Sequence, residues 1–185
     1  MNNIQMIQSN EGTKIIINPV LEESYGPELI LNNDFKNNMN SWLSWVNPTA
    51  RATFQSVSGD EQINIQNDGE ADWHIQLYQK GIKLEQCKRY RVTFVSKATD
   101  VQKLSIQLEH QDSPYTCYSG KHTFATNPFI STDSCTFDFF MTSPTDTNAR
   151  LIFFLGNTGI NTVTIDKVSL KEIIMKPKDI EILIN

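Results

Sequence analysis

Cysteine and histidine are scarce in this 185-residue chain, three of each, and they lie far apart, which leaves little from which to assemble a zinc site. Positive charge is also in short supply: 16 Lys and Arg face 21 Asp and Glu, a net charge of −5 with no basic cluster. A duplex nucleic acid partner, whose phosphates call for many Lys and Arg, is therefore not expected. Apolar runs stay far below the roughly 18–20 residues that cross a bilayer, so membrane insertion is not expected either. Residues 1–25 lack a basic start followed by an apolar stretch, and no secretory leader is expected within them. Two reactive patterns are missing as well. There is no Gly-x-Ser-x-Gly elbow for acyl transfer, and no local acidic cluster of the Glu-x-Asp-x-x-Glu type that a glycoside hydrolase could carry along one strand. A helical stripe with a period of about 3.6 residues never persists over three turns.

What the chain does have is alternation. Tyr90, Val92 and Phe94 share one face of a run, and Leu104, Ile106 and Leu108 share one face of another. The pattern repeats in Ile63 with Ile65, Ile75 with Leu77, Leu151 with Phe153 and Leu155, and Val163 with Ile165. Turn signals separate these runs, among them Asn47-Pro48, Ser58-Gly59-Asp60, Asn67-Asp68-Gly69, Ser113-Pro114 and Gly156-Asn157-Thr158-Gly159. Many short antiparallel strands of this kind predict an all-β, two-sheet β-sandwich, a jelly roll. The signals place the domain at residues 27–172, with flanking segments at 1–26 and 173–185. Residues 1–13 read as polar and irregular, while Ile15–Ile17 and Ile180–Ile184 are β-prone pieces outside the main pattern.

If the apolar faces build the core, the opposite faces are free to meet a ligand. They carry His74, Gln76 and Tyr78 on one strand, Ser105, Gln107 and Glu109 on a second, and Arg150, Ile152 and Phe154 on a third. Amides and a guanidinium present donors in fixed geometry, suited to bridging vicinal hydroxyls of a sugar. Trp42 and Trp45, three residues apart, point to opposite faces, so that one is core and the other exposed. Trp73 follows the polar loop Gly69–Asp72, and Tyr115 and Tyr118 flank the Ser113-Pro114 turn. Aromatics at such junctions are poor core builders and good stacking platforms. Cys117 and Cys135 are near enough in sequence for a bridge to be considered, although buried thiols are the ordinary reading and an odd count leaves at least one free.

These residues carry a family resemblance. Glu28–Phe35 followed by Trp42, then Asp72–Leu77, Gly81–Leu84 and Tyr90–Phe94, and finally Ala149–Phe153, Leu155-Gly156 and Val163–Leu170 resemble, in order, carbohydrate-binding module families 4 and 9. The resemblance implies a β-jelly roll, galactose-binding-domain-like, of secreted, extracellular polysaccharide hydrolases or cell surfaces, with other hydrolase modules as its neighbours. It also implies a cleft that holds single polysaccharide chains, β-1,3- or β-1,4-glucan first and xylan second. By position it assigns carbohydrate contacts to Trp45, Trp73, Gln76, Gln111, Tyr115 and Arg150, with Trp42 in the core. Gln107 joins them from its strand face alone. It further implies a structural calcium near Asp166, with Asp34 and Asp60 on the other two segments that meet there. The pattern is broken at Asn33 and Cys87, where the family usually has Gly. A glycosidase using Glu109 with Asp112 is the catalytic alternative, and a protein-interaction or adhesion sandwich is the third, to be recognised by an exposed Phe154 and an apolar surface patch.

Overall fold

The computed structural model describes residues 4–9, 12–17, 21–100, 102–126 and 134–178. The chain falls into two units, Pro27–Glu172 and a smaller one made of Met1–Gly26 with Ile173–Asn185.

The larger unit is a sandwich of two antiparallel sheets. Its strands are β4 (Leu43–Val46), β5 (Arg51–Val57), β6 (Asp60–Asn67), β7 (Ile75–Leu84), β8 (Arg89–Ala98), β9 (Gln102–His110), β10 (His122–Thr126), β11 (Ser134–Phe140), β12 (Asp146–Phe154) and the first part of β13 (Asn161–Pro177). One sheet has the order β10-β9-β12-β7-β4, the other β11-β8-β13-β6-β5. The single helical turn among the described residues is the 3-10 turn Asp72–His74. No helix there is long and apolar enough to cross a membrane.

The alternating residues meet between the sheets as their period of two requires. Ile75 and Leu77 of β7, Leu104, Ile106 and Leu108 of β9, and Leu151 and Phe153 of β12 face Tyr90, Val92 and Phe94 of β8, Ile63 and Ile65 of β6, and Val163 and Ile165 of β13. Phe94 sits edge-on to both Phe124 and Phe153, with ring centres 5.3 and 5.2 Å apart. The loop before β4 is sewn in by a polar device. Inward-facing Gln79 of β7 accepts a hydrogen bond from the Leu31 amide at 2.7 Å and donates to the Leu31 carbonyl at 2.8 Å, so both the oxygen and the nitrogen of a buried amide have a partner. That loop then places Phe35 and Trp42 in the core.

The smaller unit corrects one sequence expectation. Within the segment expected to be irregular, β1 (Ile4–Ser9) pairs antiparallel with β2 (Gly12–Ile17), in the register Ile4↔Ile17 to Ser9↔Gly12. The β-branched run Ile15–Ile17 finds its partner in the preceding segment, a local pairing that a reading of polarity alone overlooks. In the same unit β3 (Leu21–Tyr25) pairs with Ile173–Pro177 of β13. The β-prone piece Ile180–Ile184 lies outside the described residues.

Candidate functional site

Strand register assembles the site on the outward side of the five-stranded sheet. One row across it reads Trp45, Gln76, Phe154, Ser105, and the next Leu43, Tyr78, Ile152, Gln107. A third sets Arg150 between Lys80 and Glu109. Directly opposed side chains on adjacent strands are close neighbours, so the register alone commits Arg150 and Glu109 to one another.

Over these rows lies a groove of about 510 Å³. Trp45, Trp73 and Gln76 line one part of it, Gln111, Tyr115 and Arg150 another, with Tyr78, Glu109 and Phe154 between. The structure therefore brings together six of the seven residues singled out as carbohydrate contacts. Gln107 is the exception. It does not line the groove; its buried amide is spent as a donor to Glu109 Oε2.

The floor is an ion pair. Arg150 Nε donates to Glu109 Oε1 at 2.7 Å and a second guanidinium nitrogen donates to the same oxygen, with both side chains nearly buried. Two aromatic rings lie against the guanidinium, Tyr78 at 5.3 Å and Tyr115 at 4.9 Å from its central carbon. Gln111, which also lines the groove, has a buried Oε1 with no hydrogen-bond partner. At the other end Trp45 and Trp73 stack at 5.9 Å and 23°, and both are substantially exposed. The Gln76 amide donates to the Trp73 carbonyl at 2.8 Å, which leaves its oxygen as the free end.

Several sequence expectations need adjustment. Trp73 belongs to the 3-10 turn and precedes the strand, which starts at Ile75. His74 is not on the outer face with Gln76 and Tyr78. It is buried, with the Trp73 ring edge-on to its imidazole at 4.4 Å. Phe154, whose exposure was the mark of an adhesion surface, is buried at 6%, with the Lys121 ammonium 4.6 Å above its ring. Cys117 and Cys135 are not joined by a disulfide, and Cys87 and Cys117 are exposed rather than buried. The sequence pattern puts Tyr78 on the right face without marking it as a contact, and it brings Glu109 to the groove only as the acid of the glycosidase alternative. The signal was there, since the period of two that selects Gln76 selects Tyr78 as well.

The loop that carries Tyr115 is clasped at its base. Asp146, at the start of β12, accepts from His110 Nδ1 at 2.9 Å, from the Tyr118 hydroxyl at 2.8 Å and from the Asn148 amide at 2.8 Å. Burial works to raise this carboxyl, but those hydrogen bonds outweigh it and hold the pKa below the ordinary value. Burial, joined by the Asp146 carboxylate, pushes Tyr118 up to about 12. A depressed carboxyl contributes stability that is present above its unfolded pKa of about 3.9 and is lost as the pH falls through the folded value. Melting temperature should therefore drop steeply below about pH 4, and Asp146→Asn should flatten that acid limb while lowering the neutral plateau. An acid limb identical in the variant would remove Asp146 from the account.

The metal expectation fares differently. Three segments do meet: the Val168 amide donates to the Asn33 carbonyl at 2.9 Å, and Gly59 lies against the Asp34 carbonyl. Burial and the charges of Asp60 and Asp34 hold the Asp166 carboxyl above its usual range, a crowding of negative charge that a cation relieves. The Asp34 side chain, however, is held by Lys36 Nζ at 2.5 Å. Among the described residues no three acidic, histidine or cysteine side chains gather as a ready cage. That leaves the Asp166 carboxylate and backbone oxygens as the donors a cation would use.

An all-β sandwich with an aromatic-rimmed, amide-lined groove across one sheet defines a class of sugar-binding domain, and the comparisons with known proteins agree. The profile of the carbohydrate binding domain family 4/9 matches residues 27–163, and the chain belongs to that family. Among solved structures, one described as "CBM4 structure and function" is 27% identical with a TM-score of 0.62, covering 79% of this chain and 94% of its own. The second N-terminal cellulose-binding domain of Cellulomonas fimi β-1,4-glucanase C is 16% identical with a TM-score of 0.58, covering 78% of this chain and 94% of that one. The first such domain of the same enzyme is 13% identical with a TM-score of 0.53, covering 82% and 95%. No curated protein matches the sequence.

Proposed function

We propose that the groove binds a single β-glucan chain, β-1,4- or β-1,3-linked, with xylan as the second choice, and that the domain performs no chemistry on it. In this reading it holds an associated secreted hydrolase, or a cell surface, on polysaccharide. The observation that carries the reading is the pairing of two exposed, stacked tryptophans with a floor of Arg150, Gln111 and Gln76 polar groups. Indole faces pack against sugar C–H surfaces, while amides and guanidinium take the hydroxyls. The two Cellulomonas fimi domains of the same fold are named as cellulose-binding, which supports a glucan as the first ligand to try. Arg150 brings no surplus positive charge, because Glu109 neutralises it, and this favours an uncharged chain.

Titration calorimetry with soluble cello-, laminari- and xylo-oligosaccharides should detect binding, whereas insoluble crystalline cellulose should adsorb little. A groove admits one chain; a crystal face requires a flat row of rings. Strong adsorption to microcrystalline cellulose with none to soluble chains would sink the reading.

The family also implies a calcium ion, which we place at Asp166 with backbone oxygens near residues 34 and 60. Bound only to the native state, calcium should raise the melting temperature and a chelator should lower it, with sugar affinity little changed. Asp166→Asn should abolish the response. Identical melting curves in excess chelator and excess calcium would count against the site.

A further inference from the structure

The Trp73 platform stands on a loop rather than on a strand, and three features outside the groove pin that loop. Gly156 comes so close that a Cβ built on it would lie 2.2 Å from the Ala71 carbonyl oxygen and 3.0 Å from those of Asp68 and Asp72. No side chain fits there unless the loop moves. Backbone bonds close the same contact: Gly156 donates to the Asp72 carbonyl at 2.9 Å and Asn157 to the Asp68 carbonyl at 2.8 Å. Asp68 completes it by accepting from the Gly159 amide at 2.7 Å through Oδ2. On the far side the His74 ring serves as a post. Its Nδ1 accepts from the Glu70 amide at 3.2 Å and lies 3.3 Å from Thr49 Oγ1, while its face meets the edge of Trp73.

None of these residues lines the groove. We infer that Asp68, His74 and Gly156 are positioning residues that set glycan affinity by holding Trp73 in register with Trp45. The inference rests on the glycan-binding reading of the groove. Its physical basis is that a stacking platform contributes only when it is already in place: a loop free to wander must be ordered at the moment of binding. The turn Gly156–Gly159, which joins β12 to β13, is thereby part of the binding apparatus although it lies outside the groove.

The test uses Gly156→Ala, Asp68→Ala and the conservative Asp68→Asn, which keeps an oxygen for the Gly159 amide. Affinity for a soluble cello-oligosaccharide is read by calorimetry well below the melting temperature. The three indole N–H resonances are read by NMR in the absence of sugar. Trp42 is buried in the core and bonded to the Asn32 carbonyl, so its resonance reports the fold, while Trp45 and Trp73 report the platform. Gly156→Ala and Asp68→Ala should shift the Trp45 and Trp73 signals, leave that of Trp42, and weaken binding about tenfold or more, with Asp68→Asn near wild type. A merely structural role would lower the melting temperature without moving the platform signals. Wild-type affinity in both alanine variants, or weakened binding with unshifted Trp45 and Trp73 signals, would overturn the inference. If Gly156→Ala fails to fold, the Asp68 pair decides. Should the wild type bind no glycan, the functional reading fails instead, and the indole shifts still decide whether the clamp holds Trp73.

Discussion

Trp42→Ala is expected to destabilise the domain by about 3–5 kcal/mol in urea denaturation, the range for truncating a fully packed aromatic. The indole is 3% exposed and lies 5.0 Å from the Phe35 ring and 6.4 Å from that of Phe153. Its Nε1 donates to the Asn32 carbonyl at 3.1 Å. Alanine would therefore open a cavity and also remove a donor from a backbone oxygen in the loop that leads into β4. Trp45→Ala, three residues on, should behave in the opposite way. It should change stability by no more than about 0.5 kcal/mol, as surface substitutions do, and weaken glycan binding by about 1–3 kcal/mol, as hot-spot aromatics do. Calorimetry and denaturation on the same two variants check both halves. A stable Trp42→Ala beside an unfolded Trp45→Ala would reverse the assignment of faces.

The contrast between these two tryptophans also marks how far the sequence can be read. Period-two alternation places Leu104, Ile106 and Leu108 on one face and Gln107 and Glu109 on the other because strand geometry permits nothing else, and the sandwich follows from repeating that rule. It gives no information on which strands become neighbours. Gln107 therefore looks as available as Gln76, yet Glu109, two residues on along the same face of β9, takes its amide as a donor, and the strand register brings Arg150 to the same carboxylate. His74 was misplaced for a related reason. Alternation was extended one residue past the strand, whereas Asp72–His74 turns in a 3-10 conformation and drops the imidazole inward. Cys87 shows the converse, a position legible only by comparison. The family usually has Gly there, and the backbone indeed adopts φ +64, a conformation that suits glycine and strains any other residue. The Asp68–Gly156 clamp was legible only as turn signals, because close approach of two loops leaves no periodic trace.

The second large effect is expected at the groove floor. Arg150→Ala should cost about 3–5 kcal/mol of stability, because it leaves the Glu109 carboxylate buried without its partner. Glu109→Ala should cost a similar amount by stranding the guanidinium, although the Tyr78 and Tyr115 rings still flank it. Replacing both together, Glu109→Leu with Arg150→Met, should recover much of the loss, since a buried ion pair exchanged for apolar groups of similar size is often neutral in stability. Binding should not recover, because the floor would have lost its guanidinium donors to a sugar hydroxyl. Stability and affinity thus separate at the double variant, which no simple loss of fold can mimic. The same geometry bears on catalysis. One Glu109 oxygen is taken by Arg150 and the other by Gln107, so neither is left to engage a glycosidic oxygen. Asp112, its only conceivable partner on that loop, accepts from the Asn148 amide at 3.1 Å. A glycosidase needs one carboxyl to give a proton while the other attacks or activates water. Release of reducing sugar from β-glucan or xylan should therefore be absent in the wild type. Hydrolysis that disappeared in Glu109→Gln while binding persisted would make this groove an active site and Glu109 its acid.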